Sequence, residues 1–348
     1  MDKKLSAKFN ALLDDFAVFA FHKNIPQKYI AIFREFTKSY QQVLQQYNQD
    51  PSYYINIYST FIVLFKEQCQ SPYQFELYHH KIRAPFDYYK FSIDFVHPLV
   101  DLERSTVKGI EHLDKIEQLL KQKENVIIFA NHQSEIDPQA IATLLEHSHS
   151  TFNEHLIFIA GTRVTTDPFA IPFSMGCNLL CIHSKKYIHN PPEKQYEKQM
   201  HNKRTMQHMV TLLSQGGHAI YVAPSGGRDR ANVNGIVEVA PFDPHSIEML
   251  YLMTQKTQTP THFFPLALFT HHLLPPPPSA DIATELGERR ITNRGAIHLS
   301  FGNLIEMENF PRIKEATDKR KIRKVRANYL WDLVQKLYKE IPKEGQSI

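Results

Sequence analysis

Apolar residues recur at three- and four-residue intervals through the first part of the chain. Phe9, Leu12, Leu13, Phe16 and Phe19 form one stripe, and Tyr29, Ile32, Phe33, Phe36, Tyr40, Val43 and Leu44 a second. This is the period of a helix with one buried face. Pro26 and the Asp50-Pro51 pair punctuate the stripes, and a third helix is predicted over about 52–68. No strand pattern interrupts them. Residues 1–80 therefore read as a small all-α helical bundle standing ahead of the rest.

Residues 81–104 are crowded with aromatics and broken by Pro85 and Pro98, and give no clear period. Beyond them the pattern changes. Short β-branched runs alternate with longer amphipathic stretches: strands near 106–107, 126–130, 156–160, 178–182, 219–222, 263–269 and 296–301, and helices over 110–121, 139–146, 193–213, 246–253 and 313–341. The run at 263–269 is expected to be broken by Pro265. Alternation of this kind implies a mostly parallel sheet flanked by helices. Residues 81–348 are thus predicted to form one α/β domain behind the all-α bundle. The stretch Pro275 to Pro278 reads as a stiff surface loop.

Three strand ends carry chemistry. After the run Val126 to Ala130 comes Asn131-His132-Gln133-Ser134-Glu135-Ile136-Asp137-Pro138. Pro138 suits a first helical position, and Asp137 before it suits an N-cap. His132 and Asp137 lie in the turn between strand and helix, where the carboxylate can also fold back onto the imidazole. That would make a base and its orienter, with no nucleophile of their own. The second strand end is Ile182-His183-Ser184-Lys185-Lys186-Tyr187, and the third is Val222-Ala223-Pro224-Ser225-Gly226-Gly227-Arg228-Asp229-Arg230. Each closes a strand with cations, at the position where α/β sheets bind ligands. The guanidinium forks of Arg228 and Arg230 suit phosphate oxygens. Any one of these loops read alone is an ordinary polar loop; together they describe an acid–base pair beside an anion site. Ser225 lacks the glycine two positions before it that a hydrolase nucleophile elbow has.

Composition narrows the partners. A net charge of +4 over 348 residues is too small to imply nucleic-acid binding. The cysteines number three, Cys69, Cys177 and Cys181, a sparse odd set that argues for a reducing compartment and against a disulfide framework. They are too few for a structural zinc site, and the pairs His79-His80 and His271-His272 lack the spacing of a metal helix, so no metal is expected. No secretory signal is visible, and no apolar run approaches the roughly 18 residues that cross a bilayer. Cations gather near the C-terminus: Arg312, Lys314, Lys319, Arg320, Lys321, Arg323, Lys324 and Arg326. They form either a solvated helix face or a landing surface for an acidic protein or anionic lipid headgroups.

The segments NHQSEIDP at 131–138, MGCNLLCIHSKK at 175–186 and APSGGRDR at 223–230 resemble the first three sequence blocks of the glycerolipid acyltransferases. Phe264-Pro265-Leu266-Ala267-Leu268 is similar to the fourth, weaker block. The likeness is greatest to the soluble glycerol-3-phosphate acyltransferases of plastids and some bacteria, in which a small helical domain precedes an α/β catalytic domain. It implies that His132 is the general base toward the sn-1 hydroxyl and that Asp137 orients it and stabilises its charge. It implies that Lys186, Arg228 and Arg230 hold the phosphate of glycerol-3-phosphate. Tyr187 departs from the pattern, because the plastid enzymes have His there; a tyrosine can donate a hydrogen bond but brings no positive charge. Direct acyl transfer from a thioester of acyl carrier protein or coenzyme A, without a cofactor, would give lysophosphatidic acid. A bacterial cytoplasm or plastid stroma is the implied location, with the membrane touched transiently at most. The competing readings are transfer to another acceptor such as lysophosphatidic acid, and a non-catalytic protein that binds acyl groups or phosphate.

Overall fold

The computed structural model describes residues 3–23, 25, 27–47, 51–277, 288–316 and 318–342. Three helices come first: α1 (Lys3–His22), α2 (Gln27–Gln46) and α3 (Pro51–Gln70). Their apolar stripes interlock through aromatic rings, with Phe16 stacked on Phe33 at 4.1 Å between centroids. The two-residue strand β1 (Tyr78–His79) follows, where the pattern offered no strand signal. Then comes α4 (Tyr88–Val96), inside the stretch that lacked a clear period. The reason is its length. Tyr89, Phe91, Ser92, Ile93, Phe95 and Val96 are buried and Lys90 and Asp94 form the polar stripe, but a helix of 9 residues set among aromatics is too short for that stripe to stand out. Asp87 caps it by accepting a hydrogen bond from the Lys90 N–H.

The remaining elements are β2 (Thr106–Lys108), α5 (Ile110–Lys121), β3 (Asn125–Ala130), α6 (Asp137–Leu145), α7 (Ser150–His155), β4 (Leu156–Gly161), α8 (Thr162–Thr166), α9 (Ile171–Ser174), β5 (Asn178–Ile182), α10 (Gln195–Gln215), β6 (Ala219–Val222), α11 (Pro244–Thr254), β7 (Thr261–Phe269), β8 (His298–Phe301) and α12 (Lys319–Lys339). The alternation thus follows the pattern. The short α7, α8 and α9 had no signal, since one or two turns are too short to show a period. The last helix begins later than its periodicity suggested. A 3-10 turn at Ile313–Glu315 precedes it, and Asp318 caps α12 through the Lys321 N–H.

The eight strands form one sheet in the order β1-β5-β4-β6-β3-β7-β8-β2. β1 on β5 and β7 on β8 are antiparallel; the other pairs are parallel. β3 lies near the centre and is buried on both faces, which explains its unbroken apolar run. Val126, Ile128 and Ala130 face the side of α5, while Ile127 and Phe129 face α10, α11 and α12. Pro265 does not break β7. Its carbonyl accepts from the Gly302 N–H, so its missing N–H points to the same side, just beyond the pairing with β8 that starts at Leu266.

The helices on either side of position 80 share one core. Phe33, Phe36, Tyr40 and Phe61 cluster with Phe95, with Ile136 and Ala140 at the start of α6, and with Phe169 and Leu274. This aromatic wall is what the N-terminal helices set beside the carboxyl ends of the sheet strands. Among the described residues no helix is long and apolar enough to cross a membrane.

Candidate active site

The strands β3, β4, β5, β6 and β7 are mutually parallel, so their carboxyl ends open on one edge of the sheet. The three chemistry-bearing loops all leave from that edge.

The loop after β3 turns back sharply, and Asp137 opens α6. Its carboxylate does not cap the helix. It reaches backward instead, accepting the Gln133 N–H at 2.9 Å and the Ser134 N–H at 3.1 Å. His132 Nδ1 lies 2.8 Å from Asp137 Oδ2. The hydroxyl of Thr270, just past β7, donates to Asp137 Oδ1 at 2.5 Å. Asp137 is fully enclosed, whereas the His132 side chain keeps 31% of its surface open. A carboxylate accepting from Nδ1–H fixes the imidazole tautomer and leaves Nε2 with a lone pair at the open side. Of the two readings of Asp137, helix cap or imidazole partner, the geometry is that of the partner.

Polar side chains around the pair lock the loops together. Asn131, buried, donates to Asp229 Oδ2 at 2.8 Å and to the Leu268 carbonyl at 3.0 Å, and accepts from the Leu268 N–H at 2.7 Å. The Gln133 carbonyl oxygen accepts the N–H groups of Thr270 and His271 at 2.9 and 3.2 Å. The Asp229 N–H donates to the His132 carbonyl at 2.6 Å, and the Tyr221 hydroxyl to the Asn131 carbonyl at 2.5 Å. The loops after β3 and β6 and the carboxyl end of β7 are thereby one unit. Burial pushes the Asp229 carboxyl up to about 6, although it accepts hydrogen bonds from Ala240, Asn131 and Gln133. In the loop after β6, Gly226 adopts φ +68°, a left-handed turn that favours glycine.

The arginines of the third loop divide. Arg228 is buried and donates to Glu288 at 2.8 Å. It belongs to a cluster in which Arg163, Arg228 and Arg290 meet Glu135, Glu288 and Asp167. Burial opposes the charge of Glu135, but Arg290, Arg163 and Arg228 together hold its carboxyl well below the usual range. Arg230 is half-buried, and its described hydrogen bonds go to the carbonyls of Pro277 and Arg228. Partial burial and the neighbouring Arg228 lower its pKa, the mark of a cation short of negative charge. Tyr187 is close enough to act on it electrostatically. Lys185 is taken up by Asp243, at 2.7 Å. Lys186 lies in the 3-10 turn Lys185–Tyr187, and its side chain is outside the described residues.

A cavity of about 160 Å³ opens at His132. It runs between the first turn of α6, the end of β4 and the N-terminal aromatic wall, past Phe36, Phe95, Ile136, Phe158 and Phe173. Its lining is predominantly hydrocarbon. One sheet edge therefore carries an imidazole–carboxylate pair at an apolar cavity and the loop that bears Arg230.

Several of these participants left no mark in the sequence pattern. Thr270, Glu288, Arg163 and Arg290 come from distant segments with no motif. Asn131 and Gln133 did carry a signal: a string of polar residues directly after a fully buried strand has to find hydrogen-bond partners inside the protein. Of the C-terminal cations, Arg326 is buried against Glu248 and the Met307 carbonyl. Arg312, Lys314, Lys319, Arg320, Lys321 and Lys324 are exposed.

Residues 104–268 match the acyltransferase family model. The chain is 42% identical over 232 residues to the chloroplastic glycerol-3-phosphate acyltransferase of Spinacia oleracea, covering 66% of this chain and 49% of that protein. To that of Arabidopsis thaliana it is 39% identical over 233 residues, 67% of this chain and 50% of the relative. To that of Pisum sativum it is 39% identical over 270 residues, 77% of this chain and 58% of the relative. The chain spans about half the length of the curated relatives it matches. Over about two-thirds of its own length the chain is similar to these plastid glycerol-3-phosphate acyltransferases, and the family match lies within that part.

Proposed function

From this homology and the geometry of the sheet edge, we propose that the chain is a glycerol-3-phosphate 1-O-acyltransferase. The observation that carries the reading is the His132–Asp137 contact of 2.8 Å at the mouth of an apolar cavity. Phosphate would be held by Arg230 and Lys186, with Arg228 fixing the loop that presents Arg230. That places the sn-1 hydroxyl against His132 Nε2. The imidazole takes the hydroxyl proton as the oxygen attacks the thioester carbonyl. A C–O bond forms, the tetrahedral intermediate collapses, and the C–S bond breaks. The imidazolium returns its proton to the departing thiolate. Asp137, held by four donors, stays charged throughout and stabilises the imidazolium. The products are lysophosphatidic acid and a free thiol. The apolar cavity takes the fatty acyl chain.

The donor is assigned to acyl carrier protein. The six exposed cations around the start of α12 offer a positive face to an acidic carrier, whose encounter would then weaken as salt rises. Coenzyme A thioester is the alternative donor.

The test is acyl transfer to labelled glycerol-3-phosphate from each thioester, with His132→Ala in parallel. Lysophosphatidate from the wild type and a loss of about 10²–10⁴-fold in the variant support the reading. Absence of product with both thioesters, from folded protein that binds glycerol-3-phosphate, leaves only a binding protein. Equal activity of the two proteins removes His132 from the mechanism.

A further inference from the structure

Behind the main cavity lies a second, of about 20 Å³. Lys81, Tyr89, Ser92 and Asn153 line the second and not the first, while His132 lines only the first. Four residues face both: Pro138, Gln139, Phe158 and Cys177. They are the wall between the chambers. Gln139 is the polar member of an otherwise apolar or thiol-bearing wall, and it is buried to within 3%.

The Gln139 side chain is held at one end only. Its amide nitrogen donates to the Phe173 carbonyl at 3.3 Å and to Cys177 Sγ at 3.5 Å. Its carbonyl oxygen has no hydrogen-bond partner among the described residues. Gln133, six positions earlier, differs: its amide oxygen accepts two backbone N–H groups and its nitrogen meets Asp229. An unpaired buried acceptor is a cost that a purely structural position would not carry.

We infer that Gln139, backed by Cys177, is the stop that sets how long an acyl chain the protein accepts, and that the chamber behind it is reached only when that wall is removed. The inference rests on the proposed acyltransferase reading, since it assigns the channel from His132 to the acyl chain. The chain's carbonyl end lies at His132 and its methyl end meets Gln139. Chains that reach the wall gain nothing from further methylenes. Shorter ones gain about fourfold in affinity for each methylene moved from water into the cavity.

The experiment is displacement of a fluorescent fatty acid by saturated fatty acids of increasing length, on the full chain. Wild-type affinity is expected to rise with length and then level off. Gln139→Ala and Cys177→Ala should each move that break to longer chains. Gln139→Leu, which keeps the bulk and removes the amide, should leave it in place and controls for loss of packing. Transfer rates across a matched thioester series should shift in the same direction. A break at the same length in all folded variants overturns the inference, and means that the chain runs toward Phe36 and Phe95 instead. Failure of every fatty acid to bind overturns it as well. Transfer to glycerol-3-phosphate at any chain length is scored separately, so an immobile break with normal turnover sinks the stop alone. Absence of turnover at every length sinks the reading beneath it.

Discussion

Arg228 and Glu288 are ion-paired at 2.8 Å, both inside the protein, and this separates two arginines that stand two positions apart in the sequence. Arg228 answers to a buried cluster, whereas Arg230 hydrogen-bonds to carbonyl oxygens and is drawn on by the proposed phosphate. Arg230→Ala should therefore raise KM for glycerol-3-phosphate about ten- to a hundredfold, the worth of a hydrogen bond to a charged group, with little change in Tm. Arg228→Ala should instead lower stability by about 3 kcal/mol, because it leaves the buried carboxylates of Glu135, Glu288 and Asp167 one cation short, with Arg163 still on Glu288. Thermal melts beside Michaelis kinetics separate the two. Equal KM effects with unchanged Tm would place Arg228 among the direct phosphate ligands.

Thr270 supplies a prediction of intermediate size. Its hydroxyl donates to the same carboxylate that holds His132, but it touches no reacting atom. Thr270→Val removes one of four donors to Asp137 while conserving shape. The expected loss in kcat is about tenfold or less, the value of one ordinary hydrogen bond, with KM for both substrates unchanged. Asp137→Asn should be far more damaging, because an amide can hold the imidazole in the wrong tautomer. Reversal of that order would mean that Asp137 is chiefly a structural residue.

Much of this architecture was legible beforehand, for reasons that can be named. β3, β5 and β6 are short apolar runs between turn residues, and their ends fall where the polar strings begin. The His132–Asp137 pair was visible because both partners lie within one turn of chain. What could not be read is whatever depends on contacts between distant segments. Thr270 is 133 positions from Asp137. Glu288 is 60 positions from Arg228, and nothing local distinguishes an arginine paired inside a buried cluster from one that meets only carbonyl oxygens. α4 escaped notice because its 9 residues hold only Lys90 and Asp94 as a polar stripe, too few repeats to show a period among so many aromatics.

Asp229 makes stability depend on pH. Burial pushes its carboxyl up to about 6, above the ordinary value of 3.8 that it regains on unfolding. Between those two values the folded protein holds a proton that the unfolded chain has released. Stability from this group therefore falls as pH rises from about 4 to 6, and the cost is fully present above that. In urea titrations, wild type minus Asp229→Asn should show a stability difference that declines through this window and is flat above pH 7. A difference that rises through the window would mean that the hydrogen bonds from Asn131, Gln133 and Ala240 outweigh burial.

The thiols offer the most direct check on the packing around the cavity. Cys69, Cys177 and Cys181 are free, and burial pushes each thiol up to about 12. At pH 8 almost none is thiolate, the form that reacts with disulfide reagents. In native protein all three should thus be modified slowly, the buried Cys181 slowest of all, and denaturant should release three equivalents at once. Cys177 is the informative one, since it stands in the wall beside Gln139. A long-chain fatty acid that fills the first chamber should leave Cys177 as protected as before. Gln139→Ala should make it the first of the three to react, because the thiol then faces an enlarged cavity, a gain in access that has to outweigh the lost amide hydrogen bond, which favours the thiolate. Rapid modification of Cys177 in the wild type, with the other two protected, would mean that the wall is open in solution and cannot act as a stop.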